Sequence, residues 1–182
     1  MAFGATVFKV ELQIADMDRS HYQTHALVVA RHPSETDERL MVRILAFALN
    51  ASETLAFGKG LSAEDEADLY DRDLTGRVSC WIDVGLPSDR DIRKACGRAD
   101  EVKVYVYGGR SVAVWWKQNQ DVLERCRNLS IVEVPLDASR ALAALAQRTM
   151  RLQCTVQDGV IWVGDDKTSV EIEPVFLRAR NG

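Results

Sequence analysis

The chain has 182 residues, 47% of them apolar and 27% charged, with a formal net charge of −4 at pH 7. That size and apolar content suit one compact domain, 1–182, with its own core, and the small negative charge argues against a general nucleic-acid coat protein. No apolar run approaches the roughly 18 residues needed to span a bilayer. The amino terminus, Met1 to Thr6, lacks the basic and apolar regions of a signal peptide. Cys80, Cys96, Cys126 and Cys154 form no CxxC pair, so the expectation is a cytoplasmic protein with reduced thiols and no zinc site.

In chain order, apolar and polar residues alternate from Thr6 to Ile14 and again from Thr24 to Ala30, which predicts an antiparallel pair of strands. His32-Pro33-Ser34 stops the second strand, and Ser34 reads as the N-cap of a helix from about Glu35 to Asn50. Leu40, Ile44, Phe47 and Ala48 make its apolar stripe. Two strands follow, around Asp68 and Asp83, with Thr75-Gly76 at the bend between them. Pro87-Ser88 opens a helix from about Asp89 to Arg98, in which Ile92, Ala95, Cys96 and Ala99 face inward. Val102 to Tyr107 reads as a strand, which Gly108-Gly109 turns into an alternating stretch from Ser111 to Trp116. A short helix (Gln120 to Cys126), a strand (Leu129 to Val134) and a helix (Ala138 to Thr149) come next. A hairpin, Leu152 to Val156 with Val160 to Val163, closes around Asp158-Gly159, a type I′ turn pair. The alternation of strands and helices predicts an α/β fold with a mixed central sheet flanked by helices.

The chemistry is concentrated around Glu66-Ala67-Asp68 and Cys80-Trp81-Ile82-Asp83-Val84-Gly85. If the two strands pair, Asp68 and Asp83 converge and could share one Mg²⁺ or Mn²⁺, because hard cations take one or two carboxylates plus water and phosphate oxygens. Asp83 lies in an apolar strand, where an unpaired carboxylate needs a cation, a basic partner or a proton. The plainer reading is a strand-end Asp capping the turn at Gly85-Leu86-Pro87. Asp68 stands in an acidic run with Glu64, Asp65, Glu66 and Asp71, which a solvated loop also explains. Lys94 could carry an ammonium to developing phosphate charge, or simply snorkel along its helix. Glu38, in the first helical turn, is a candidate outer ligand to the metal or a residue that favours the helix dipole. His32 could be a base, but beside Pro33 it reads better as a turn residue.

The segment from Arg72 to Lys117 carries an excess of basic side chains, a surface suited to a phosphate backbone. Trp115-Trp116-Lys117-Gln118-Asn119-Gln120 could stack bases and bond their edges; with strand-like alternation, one tryptophan would face the core and the other solvent. HExxH, GxSxG, GxGxxG and Walker patterns are absent from the sequence.

Taken together, Arg31-His32-Pro33-Ser34-Glu35-Thr36, Trp81-Ile82-Asp83-Val84-Gly85-Leu86-Pro87, Lys94-Ala95-Cys96, Trp115 to Gln120 and Gln157-Asp158-Gly159-Val160-Ile161-Trp162 resemble the YaeQ family of bacterial proteins, in the family's order and over essentially the whole chain. The resemblance implies a restriction-endonuclease-like, PD-(D/E)XK-type core with additional N- and C-terminal strands. It places Ala67-Asp68 at the Pro-Asp position and Asp83-Val84-Gly85 at the (D/E)XK position. Gly85 then stands where that motif has its Lys, and Lys94 is the expected substitute. Glu38 matches the acidic residue such folds carry on their first core helix. The expectation is a Mg²⁺- or Mn²⁺-dependent phosphodiesterase acting on nucleic acid. Asp68 and Asp83 would hold the metal, with Glu38 and Lys94 assisting. The alternative is a catalytically inactive nuclease fold that binds nucleic acid or protein.

Overall fold

The computed structural model describes residues 4–59 and 65–180, and within them the chain forms eleven strands and four helices. In order these are β1 (Thr6–Asp16), β2 (His21–Arg31), α1 (Asp37–Asn50), β3 (Ala56–Phe57), β4 (Leu69–Arg72), β5 (Val78–Val84), α2 (Asp89–Cys96), β6 (Ala99–Val106), α3 (Arg110–Leu123), β7 (Leu129–Glu133), α4 (Leu136–Ala144), β8 (Thr149–Gln157), β9 (Val160–Gly164), β10 (Ser169–Ile172) and β11 (Val175–Arg178). Readings that rest on Met1 to Phe3 or on Glu64 lie outside the described residues.

The strands form two mixed sheets rather than the single central one expected. One runs β10-β9-β8-β1-β2, the other β11-β7-β6-β5-β4-β3. The first is mixed because β1, antiparallel to β2, is parallel to β8 from the far end of the chain. That pairing of chain ends leaves no local mark in the sequence. In the second sheet β5, β6 and β7 are parallel neighbours. Parallel neighbours need crossover connections, which α2 and α3 supply.

Helix α1 lies between the sheets. Every residue from Leu40 to Ala48 is buried, so the apolar stripe read from the sequence was too narrow. A helix that is apolar all round must be covered on all sides. Its core joins Val10, Leu12 and Ile14 of β1 and Leu152 of β8 to Leu142 of α4 and to Ile82 and Val84 of β5. On the other face of the second sheet, Val102, Val104 and Val106 of β6 pack against Ile92 and Ala95 of α2 and Val112, Trp115 and Leu123 of α3. The period-2 alternation of β6 thereby serves both cores, with Tyr105 turned toward α1.

Four local expectations are corrected. Thr36, not Ser34, caps α1, its hydroxyl accepting from the Arg39 N–H at 3.1 Å. Ser34 instead pairs with His32 Nδ1 at 2.7 Å, a turn contact. Ser111 to Trp116 is helical, part of one α3 that also absorbs the start of the separate helix expected at Gln120. Gly108 and Gly109, at φ 125° and 62°, turn the chain directly into it. The β-branched Val112 and Val114 mimic strand alternation there, while the buried positions Val112, Trp115 and Leu123 follow the helical period. Finally, α4 ends at Ala144, and Thr149 already belongs to β8. The Asp158-Gly159 turn agrees with its I′ reading, both residues having positive φ (52° and 78°).

Candidate functional site

The antiparallel β4–β5 hairpin sets Leu69 opposite Ile82, so Asp68, one residue before β4, comes to the carboxyl end of β5 beside Asp83. The Asp68 N–H donates to Asp83 Oδ1 at 3.3 Å, and the Val84 N–H donates to Asp68 Oδ2 at 2.8 Å. Trp81 Nε1–H donates to Asp83 Oδ2 at 3.0 Å. The two carboxylates thus meet where a parallel strand ends, the position at which open α/β sheets place their ligands.

They line a cavity of about 670 Å³ whose other walls come from Arg39 of α1, the Gly85-Leu86-Pro87 turn, and Arg90, Asp91, Lys94 and Arg98 along and just beyond α2. Arg90, Lys94 and Arg98 recur every fourth residue. That spacing puts the two helical ones on a common face, with Arg98 just past the Gly97 cap. All three are exposed, and they form a basic rim around an acidic floor.

Arg39 is the residue that sequence reasoning missed. Its Nη2 lies 2.8 Å from both Asp68 oxygens and 3.2 Å from the Val84 carbonyl oxygen. Its Nη1 lies 3.6 Å from Glu35 Oε2. Glu35 Oε1 in turn accepts from Arg43 Nε at 2.9 Å and Nη2 at 2.7 Å, with both side chains only 1% exposed. A buried chain of alternating charge therefore runs Arg43–Glu35–Arg39–Asp68 into the cavity. The signal for it was present in the sequence. Glu35, just before the Thr36 cap, is followed at intervals of four residues by Arg39 and Arg43, and Arg43 falls inside an apolar run, where a charged residue needs a partner.

The remaining expected residues are placed as follows. Glu38 precedes Arg39 by about 100° of helical turn and faces α4, where its Oε2 accepts from the buried Ser139 hydroxyl at 3.0 Å. It is not among the residues lining the cavity. Lys94 lines the rim, but its amine is paired with Asp65. Trp115 is buried with its Nε1–H on the Pro87 carbonyl at 2.8 Å, and Trp116 packs at the edge of the same core. Gly85 adopts φ +111°, and its N–H donates to the Tyr105 carbonyl at 2.9 Å. A lysine at this position would be strained, a backbone state costing on the order of 1–3 kcal/mol for a residue with a Cβ, which accounts physically for the glycine.

Electrostatically, the unusual member is Asp83. Burial first, and the Asp68 charge second, push its carboxyl up from the ordinary 3.8 to about 6. A carboxyl raised in the folded state favours the protonated form. Its contribution to stability is fully present below pH 4 and is lost as the pH rises through 6. Two pH units correspond to about 3 kcal/mol as an upper figure. Asp83→Asn is therefore expected to unfold at higher urea than the unsubstituted protein at pH 7.5, and to lose that advantage at pH 4. Equal pH dependence of the two proteins in paired urea titrations would contradict this electrostatic origin.

Among the described residues there is no cluster of three or more His, Cys, Asp or Glu side chains that could hold a metal ion. The site suggested by the sequence, Asp68 with Asp83, has its cation position filled. Arg39 Nη2 already stands against both Asp68 oxygens and the Val84 carbonyl. In this arrangement a divalent cation does not fit without expelling the guanidinium. Among the described residues no helix is long and apolar enough to cross a membrane.

Comparison with known proteins matches residues 1–174 to a family model described as YaeQ protein. The uncharacterized protein YaeQ of Escherichia coli (strain K12) is 43% identical over 172 residues, spanning 94% of this chain and 95% of that one. Its Salmonella typhi counterpart is 42% identical over 173 residues, 95% and 96% of the two chains. The crystal structure of YaeQ protein from Xanthomonas axonopodis pv. citri superposes with a TM-score of 0.93 at 50% identity, covering 96% of this chain and 99% of that one. That from Pseudomonas syringae gives 0.93 at 34% identity, covering 98% of each.

Proposed function

The chain belongs to the YaeQ family, and from that premise and the geometry of the cavity we propose that it binds the phosphate backbone of nucleic acid without a metal ion, Arg39 providing the fixed positive charge that a divalent cation would otherwise supply. One observation carries this reading: a single guanidinium nitrogen within 3.2 Å of three oxygens of Asp68 and Val84. Arg90 and Arg98 then offer phosphate oxygens exposed cations at the cavity mouth, and Lys94 joins them by exchanging its Asp65 partner for phosphate. In this proposal the sheet β4-β5-β6-β7, with α1 on one face and α2 and α3 on the other, is a PD-(D/E)XK-type core. Ala67-Asp68 and Asp83-Val84-Gly85 stand at its motif positions, and the motif Lys is replaced by a glycine whose backbone excludes it.

A second reading is the metal-dependent phosphodiesterase. One feature favours it: among the described residues the bonds to Asp83 come from two N–H groups and not from a cationic side chain, which leaves lone pairs on a strongly desolvated carboxylate. It requires Arg39 to leave Asp68, and Lys94 to leave Asp65.

The proposal is tested by titrating a labelled twelve-nucleotide single strand in EDTA at several salt concentrations. Three rim contacts give an expected slope of roughly −2 in log K against log salt, from about 0.7 per phosphate neutralised on single strands. Replacing Arg90, Lys94 and Arg98 together by alanine is expected to flatten that slope and to weaken binding at low salt about tenfold or more. Binding that the triple variant leaves unchanged would place the nucleic acid elsewhere, and no binding at low salt would end the proposal.

A further inference from the structure

Tyr70 of β4 and Trp81 of β5 are cross-strand partners, so their side chains stand next to each other on one face of the sheet. Both are half-buried rather than covered. The Arg72 guanidinium lies over the Tyr70 ring, 4.9 Å from its centroid. Together with Arg98, Asp65 and Glu66 they wall a second cavity of about 320 Å³. Trp81 and Arg98 line both this cavity and the larger one, so the two adjoin along the indole. Arg72 also donates from Nη1 to the Gly76 carbonyl at 3.1 Å, which fixes its guanidinium at the β4–β5 bend.

We propose that this second cavity is a nucleobase subsite: a base of single-stranded nucleic acid stacks against Tyr70 and Trp81 while its phosphate lies at Arg98 and Lys94. Paired aromatic faces beside a row of cations are the means by which proteins hold single strands, since every base has a π-face and every link carries a phosphate. The Arg72–Tyr70 stack makes one end of a column that an inserted base would extend. The Asp65 and Glu66 carboxylates can accept hydrogen bonds from an exocyclic amino group such as N4 of cytosine. A duplex, whose bases are already stacked on each other, cannot fill the subsite. The inference rests on the phosphate-binding reading of the neighbouring cavity.

The test compares a twelve-nucleotide oligodeoxycytidylate with an abasic deoxyribose-phosphate strand of the same length and charge, both in EDTA at 50 mM salt, with affinity and tryptophan fluorescence read together. The expected result is about tenfold tighter binding of the base-bearing strand, with quenching that the abasic strand does not produce. Tyr70→Phe, which keeps the ring, is expected to preserve the preference; Tyr70→Leu is expected to remove it without weakening the abasic strand. Equal affinities for the two strands would overturn the subsite and leave phosphate binding standing. Failure of both strands to bind would remove the phosphate reading and this inference with it. The quenching arm needs no variant, so a misfolded Tyr70→Leu protein leaves the proposal open to refutation.

Discussion

Glu35→Ala is expected to destabilise the protein by about 3–5 kcal/mol, the cost of leaving a buried charge without its partner. Arg43 is 1% exposed and receives its counter-charge from Glu35 Oε1 through both Nε and Nη2; Nη2 also donates to the Ala30 carbonyl. Removing the carboxylate strands that guanidinium between the two sheets and weakens the hold on Arg39 as well. Urea denaturation monitored by circular dichroism measures the loss. The double substitution Glu35→Leu with Arg43→Met, which replaces the pair by apolar groups, is expected to recover most of it, because an ion pair of this kind contributes little net stability once its desolvation is counted. A single substitution costing under about 1 kcal/mol would show that water reaches Arg43 and that the charge chain is not closed.

The second large effect is expected from Arg39→Ala. Asp68 is 6% exposed, and among the described residues Arg39 supplies the only cationic side chain it bonds. Without it, two desolvated carboxylates face each other, and the cost is expected to be about 2–4 kcal/mol, slightly below the figure for a fully buried pair because Arg39 retains 13% exposure. The same change vacates the cation position. Mn²⁺ is therefore expected to stabilise Arg39→Ala in thermal unfolding, by about 2.7 kcal/mol at a hundredfold excess over its dissociation constant. The unsubstituted protein is expected not to respond. An equal Mn²⁺ response in both proteins would mean that the guanidinium does not occupy the metal's place.

Much of the local structure was legible because it is local. The alternation of β1, the acidic first turn of α1, the Asp158-Gly159 turn and the apolar run of β5 each carry their own pattern. The meeting of Asp68 and Asp83 could be read from a hairpin with Thr75-Gly76 at its bend. Arg39 could not be read the same way, since its partner comes from a different element and its neighbour Glu38 fitted the expected motif more closely. One helical position separates them, and that 100° decides which side chain enters the cavity and which turns to Ser139 on α4. The division into two sheets was hidden for a related reason: β1 pairs with β8, and no feature of either strand names the other. In α3 the valines at alternate positions imitated a strand, and only the wider spacing of Val112, Trp115 and Leu123 carried the helix.

The most direct test of the central claim is the affinity of the protein for a twelve-nucleotide single strand, measured side by side in EDTA and in millimolar Mn²⁺ at matched ionic strength. With Arg39 as the resident cation, the expected result is the same affinity in both and an intact strand at the end. Binding only in Mn²⁺, or cleavage of the strand there that Asp83→Asn abolishes, would contradict it and return the site to metal-dependent phosphodiester chemistry.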